Sequence, residues 1–127
     1  MRCATTTVPR EEWEPFFDAF SRSHKGWDSS LELCDDEGFR VEARNLSFEG
    51  LVFESAARDH WALNLIFGDD PDRHISHMID GPIAVHVSRL ETERGTNETL
   101  RVESWSGSEV VVKFDVALTP DMFNRVA

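Results

Sequence analysis

Two cysteines, only two lysines (Lys25 and Lys113) and no long apolar run mark this 127-residue chain by what it has little of. A membrane-spanning helix needs roughly 20 consecutive apolar residues, and no stretch approaches that length. The first residues, MRCATTTVPREEW, contain no apolar h-region, so no secretory signal is read and the expected compartment is the cytoplasm. In that compartment Cys3 and Cys34 are expected as reduced thiols, and neither belongs to a CxxC. The GxSxG elbow, the P-loop, GxGxxG and HExxH are all missing, so no nucleophile, phosphate cradle or zinc helix can be named. Paired carboxylates are plentiful but scattered over turn segments. No catalytic residue and no cofactor are therefore expected.

Charge of one sign is also short. Thirteen basic residues face twenty-four acidic ones, a net charge of −11 that repels a phosphate backbone and argues against nucleic acid as a partner. The same balance fits a salt-rich habitat or an arginine-preferring genome as well as a basic partner. Forty per cent apolar and twenty-nine per cent charged residues are ordinary for a globular chain. A domain of this length removes roughly two thirds of its unfolded surface from water, enough for a core without staples.

Residues 1–7 read as a loose leader and 8–127 as a single domain. Trp13, Phe16, Phe17 and Phe20 fall at i, i+3, i+4 and i+7, one stripe of a helix. Glu11, Glu12 and Glu14 sit where carboxylates favour the positive end of the helix dipole. Pro9 and Pro15 are compatible with a turn at 9–12 and a helix from about Glu12 to His24, ended by Gly26. The stripe is expected to cap the domain's own core.

After Trp27 the period becomes two. Leu31 and Leu33 suggest one strand; Phe39, Val41 and Ala43 a second; residues 50–54 a third after an interruption at Asn45-Leu46-Ser47. Trp61, Leu63, Leu65 and Phe67 form a central strand, 74–79 a short strand or edge, and Ile83, Val85 and Val87 another strand. Residues 99–116 are the clearest hairpin, turning at Ser106-Gly107-Ser108. Thr119-Pro120-Asp121 opens a short C-terminal helix. With no βαβ alternation and no repeat, the expected fold is mainly β, of the α+β type. An N-terminal helix packs on a strongly bent antiparallel sheet, or small barrel, of six to seven strands.

The segments VPREEWEPFFDAFSRSHKGW, VEARNLSFEG, GDDPDRHISHMI and LRVESWSGSEVVVKF together resemble a group of short bacterial proteins known as a domain of unknown function. The resemblance runs from about Val8 to Val126 and departs from the group's pattern at 29–37, where an acidic, cysteine-containing turn replaces a more apolar strand. It implies family membership and no activity.

Three functional readings compete. In RVEARNLSFEG, the residues Arg40, Arg44, Asn45, Ser47 and Gly50 resemble the NxSxxG motif with which PilZ domains cradle a cyclic dinucleotide. Guanidinium forks hold phosphates and stack on guanine, and a glycine permits close approach. Both arginines, however, lie on the strand leading into the motif, and Asn, Ser and Gly also serve turns for backbone reasons. His74 and His77 with Asp70 and Asp72 offer imidazole and carboxylate ligands for a metal-dependent hydrolase. On a strand the two rings point to opposite faces, which works against convergence. The third reading, an interaction module, rests on Trp105 at a hairpin end and on Trp27. An exposed tryptophan rimmed by acidic residues suits a basic protein partner or self-association. This last reading is the leading expectation.

Overall fold

A computed structural model describes residues 2–56, 60–68, 74–93 and 95–117. A 3-10 turn, Arg10–Glu12, follows Pro9 and leads into helix α1, Trp13–His24. Pro15 lies in the first turn of α1, where its missing N–H forfeits no intrahelical bond. The chain leaves α1 through Lys25 and Gly26, whose φ of +86° is the left-handed value glycine adopts without a Cβ clash. The aromatic stripe does face the core: Trp13, Phe17 and Phe20 are buried and Phe16 packs against them.

The strands are β1 (Arg2–Thr7), β2 (Asp28–Asp35), β3 (Gly38–Ala56), β4 (His60–Phe67), β5 (Ile75–Asp80), β6 (Pro82–Thr92), β7 (Gly95–Ser104) and β8 (Glu109–Ala117). They form one antiparallel sheet of eight in the order β1-β6-β7-β8-β2-β3-β4-β5. β5 and β6 stand far apart in that order, yet Gly81 alone links them in the chain. The sheet must therefore curl towards itself, and it does so without closing. The architecture is mainly β with an N-terminal helix. The segment from 119 on, expected as a terminal helix, lies outside the described residues. No helix among the described residues is long and apolar enough to cross a membrane.

Two of these strands differ from the expected ones. The leader is strand β1, paired with β6 from Arg2 opposite Glu91 to Thr7 opposite His86. Its threonines suit an edge strand, and two of them bond across the pair: Thr5 Oγ1 lies 3.1 Å from Ser88 Oγ, and Thr7 Oγ1 lies 2.9 Å from His86 Nδ1. The other difference is β3, a 19-residue strand where two short ones were expected. Asn45, expected within an interruption between two strands, lies inside β3 with a left-handed φ of +55°. Three register shifts, two against β2 and one against β4, give β3 extra residues and bend it. One shift also changes which side chains point outward: Ala43 pairs with buried Leu31, whereas Val41 pairs with Glu32. Phe39 and Val41 consequently end up exposed, Phe39 by 61%.

α1 packs on β3 through Phe17, Phe20, Phe48 and Phe53. The approach is close because Gly50 lies under Ser21, where a Cβ would meet Ser21 Cβ and Oγ at 3.4 Å. Ser21 Oγ accepts a hydrogen bond from Leu51 N at 2.8 Å and donates to Phe17 O at 2.7 Å, tying helix to strand. At the other end of the core, the Arg10 guanidinium lies 4.8 Å from the Trp13 ring centre, 5.0 Å from Phe53 and 5.3 Å from Trp61. Such stacked cations hold a turn against a sheet for about 1 kcal/mol.

Candidate functional site

The turn between β7 and β8 presents Trp105, 63% exposed, at one corner of the sheet. Ser106 and Gly107 make the turn possible, Gly107 with a φ of +93° and its N–H donating to Ser104 O at 3.0 Å. The corner is bonded to the β5–β6 link: Trp105 N donates to Gly81 O at 2.9 Å and Ser104 Oγ donates to Asp80 O at 3.0 Å. The indole lies directly on Gly81, where a Cβ would fall 1.9 Å from Trp105 Cδ1. Only glycine, here with a φ of +63°, leaves room for the ring. The tryptophan is thus open to solvent on one side and fixed on the other.

Beside it lies a depression of about 280 Å³, lined among others by Asp35, Asp80, Glu109, Arg40, His77 and Met78. The Arg40 guanidinium donates to Asp35 Oδ2 at 3.2 Å. Burial lowers the pKa of His77, and the carboxylate of Glu42 works in the opposite direction. Carboxylates therefore outnumber cations around the depression at neutral pH. Met78 and Ile83 are exposed nearby in sequence, Ile83 because the β6–β7 register shifts between Pro82 and Ala84.

A larger concavity, about 740 Å³, is lined by residues of β2, β3, β6, β7 and β8. Glu32 lines it with its side chain only 6% exposed, its Oε2 in an ion pair with Lys113 Nζ at 3.1 Å. Its Oε1 is buried without a hydrogen-bond partner among the described residues. The two residues are diagonal neighbours across β2 and β8, since Ser30 pairs with Lys113 and Glu32 with Val111.

The residues singled out from the sequence separate. Arg44 and Asn45 line the larger groove, Arg40 lines the small depression, and Gly50 is buried under the helix. Ser47 lies on β3 beside the end of β4, its carbonyl accepting from Gly68 N at 2.7 Å. His77 lies on β5 opposite Leu65, while His74 precedes the strand and is exposed. Asp70 and Asp72 lie outside the described residues, and among those described no group of three or more His, Cys, Asp or Glu is placed to hold a metal ion. Trp27 packs into the core rather than standing out, its ring 4.3 Å from His24 and 6.2 Å from Phe114. Cys34 is a free thiol.

Residues 4–121 match DUF5335, a family of unknown function. The chain belongs to DUF5335. This DUF5335 protein is also similar to an uncharacterized protein of Aquifex aeolicus, 28% identical over 116 residues that cover 91% of this chain and 96% of the other. Among solved structures it is similar to the Bacillus subtilis YojF protein at 10% identity and a TM-score of 0.47, covering 91% of this chain and 98% of that one.

Sequence reasoning for this DUF5335 chain missed Glu32, Lys113 and Gly81. Glu32 alternates with Leu31 and Leu33 and so reads as the wet side of a strand. The one available signal was Lys113, one of only two lysines, placed between three valines and a phenylalanine of the hairpin. Gly81 read as an ordinary turn glycine, and the ring that covers it is remote in sequence.

Proposed function

We propose that this DUF5335 domain is a non-catalytic binding module that presents Trp105 and the depression beside it to a basic segment of a partner protein. The supporting observation is the contact of Trp105 with Gly81: an exposed indole whose backbone and ring are already held. Ordering a large side chain on binding costs roughly 0.5–1.5 kcal/mol, and here that ordering is present beforehand. Tryptophan is also the residue type most enriched at binding hot spots.

The neighbouring chemistry selects the partner. A lysine or arginine side chain entering the depression would meet Asp35, Asp80 and Glu109, with the indole face beside it for a cation–π contact. The net charge of −11 adds long-range attraction for a basic surface.

The test is photo-crosslinking from position 78, whose methionine is exposed and lines the same depression. A photo-reactive residue there, in the full chain expressed in its native host, should give a crosslink to a lysine- or arginine-bearing peptide. The same residue at position 52, an exposed site on β3, serves as control. Crosslinking no stronger from 78 than from 52 would overturn the proposal.

A further inference from the structure

The open sheet ends in two strands, β1 and β5, and they differ as surfaces. β5 is held at its end by the Trp105 corner, where Ser104 Oγ donates to Asp80 O at 3.0 Å. Among the described residues β1 pairs with β6 alone. Ala4, Thr5, Thr6 and Thr7 are all exposed, although successive residues of a strand point to opposite faces of the sheet. The devices that usually blunt an edge are missing from β1, which has no proline, no lysine and no register shift.

The bonding direction of this edge follows from its last rung. Val8 N donates to Val85 O at 2.9 Å, one position beyond the pair of Thr7 with His86. In an antiparallel ladder alternate residues bond to the same side, so Ala4 and Thr6 bond to β6 as Val8 does. Cys3, Thr5 and Thr7 therefore turn their backbone N–H and C=O groups away from it. That outward row is complementary to itself. Run antiparallel about Thr5, two copies set Thr5 against Thr5, Cys3 against Thr7 and Ala4 against Thr6, with about six backbone hydrogen bonds. Charge permits the pairing: Arg2, the one charged residue of β1, falls opposite Val8 of the second copy, and on β6 Arg89 is paired with Glu91 at 3.8 Å. We infer that β1 pairs with β1 of a second copy, joining the two sheets into one across a two-fold axis at Thr5.

The test is sedimentation equilibrium of the full chain from about 10 μM to about 1 mM, in about 0.5 M salt to screen the net charge of −11. The mass should rise from that of one chain towards that of two, with a Kd of about 100 μM, since one short strand pair buries less than the roughly 1,200 Å² of a standard interface. Thr5→Pro removes an outward N–H and leaves the ladder to β6 whole, so association should weaken about tenfold or more; Thr5→Val keeps that N–H and should associate as the unaltered chain does. Disulfide capture gives a second measurement, in a Cys3→Ser, Cys34→Ser background. Thr5→Cys should oxidise to a covalent dimer, because directly opposed Cα atoms about 5.5 Å apart lie within disulfide reach, and Thr6→Cys should do so about tenfold more slowly. A chain that stays monomeric at about 1 mM, or one that grows beyond two copies as head-to-tail pairing of β1 with β5 would, overturns the inference on the unaltered protein. Equal crosslinking at positions 5 and 6, or undiminished association in a folded Thr5→Pro protein, overturns it too.

Discussion

His24 Nε2 meets Glu98 Oε2 in the interior, joining the last turn of α1 to β7, with side chains only 9% and 12% exposed. The other ring nitrogen, Nδ1, lies 3.0 Å from Phe20 O and 2.8 Å from Ser23 Oγ, and the ring stacks on Phe20 with centres 3.9 Å apart. A carbonyl oxygen only accepts, so in the Phe20 contact Nδ1 is the donor. Glu98→Ala leaves a buried imidazole nitrogen unpaired and should lower stability by about 2–4 kcal/mol in urea unfolding. In a double-mutant cycle His24→Gln and Glu98→Ala should couple by about 1 kcal/mol or more, whereas additive losses would show the contact to be idle.

Gly81 makes a sharper local prediction. Gly81→Ala must both strain a φ of +63° and displace the indole that a Cβ would overlap, so it should cost about 2–4 kcal/mol and alter tryptophan fluorescence. Gly26→Ala offers the comparison. Its φ is +86° but nothing lies within 4 Å of a Cβ there, so the loss should be about 1 kcal/mol with fluorescence unchanged. Equal losses at the two sites in thermal unfolding would show that the ring is not seated on Gly81.

The pH dependence follows from His77. Its folded pKa is lowered from 6.5, chiefly by burial, so the unfolded chain takes up the proton more readily. The sign is then fixed: this contribution to stability is complete above the unfolded value and is lost as the pH falls through 6.5 towards the folded value. Measured between about pH 7 and pH 5, the loss of stability on acidification should be shallower in His77→Gln than in the unaltered protein. Parallel curves would mean that the imidazole is as solvated in the fold as in the unfolded chain.

Cyclic di-GMP provides a negative test. Arg40 and Arg44 line different concavities, and Gly50 is occupied by the helix contact with Ser21. Calorimetric titration should show no heat at ligand concentrations of about 100 μM. Saturable binding lost in Arg44→Ala would restore the NxSxxG reading.

What could be read from the sequence was what local spacing determines. Trp13, Phe17 and Phe20 reached the core because a 3.6-residue period has one geometric meaning, and the β4 and β7–β8 alternations held for the same reason. Asn45 was recognisable as a residue that tolerates positive φ, but a bulge and a turn use the same residue, and only pairing with β2 distinguishes them. The threonines of β1 became a strand through partners some eighty positions away, Ser88 and His86, which no local window contains. Glu32 was hidden for a related reason. Its alternation is that of a solvated position, and its burial comes from the side chains that surround it in the folded sheet. The candidate site was legible only at Trp105, where a hairpin turn forces the ring to the surface.

Removing the Trp105 ring tests the account most directly. Trp105→Ala should melt within about 2 °C of the unaltered protein, since most of the side chain is exposed. In affinity purification from the native host, followed by mass spectrometry, it should lose a basic partner that the unaltered chain and Val52→Ala both retain. Retention of that partner by Trp105→Ala, or a fall of several degrees in melting temperature with the partner unchanged, would contradict a binding role for this corner.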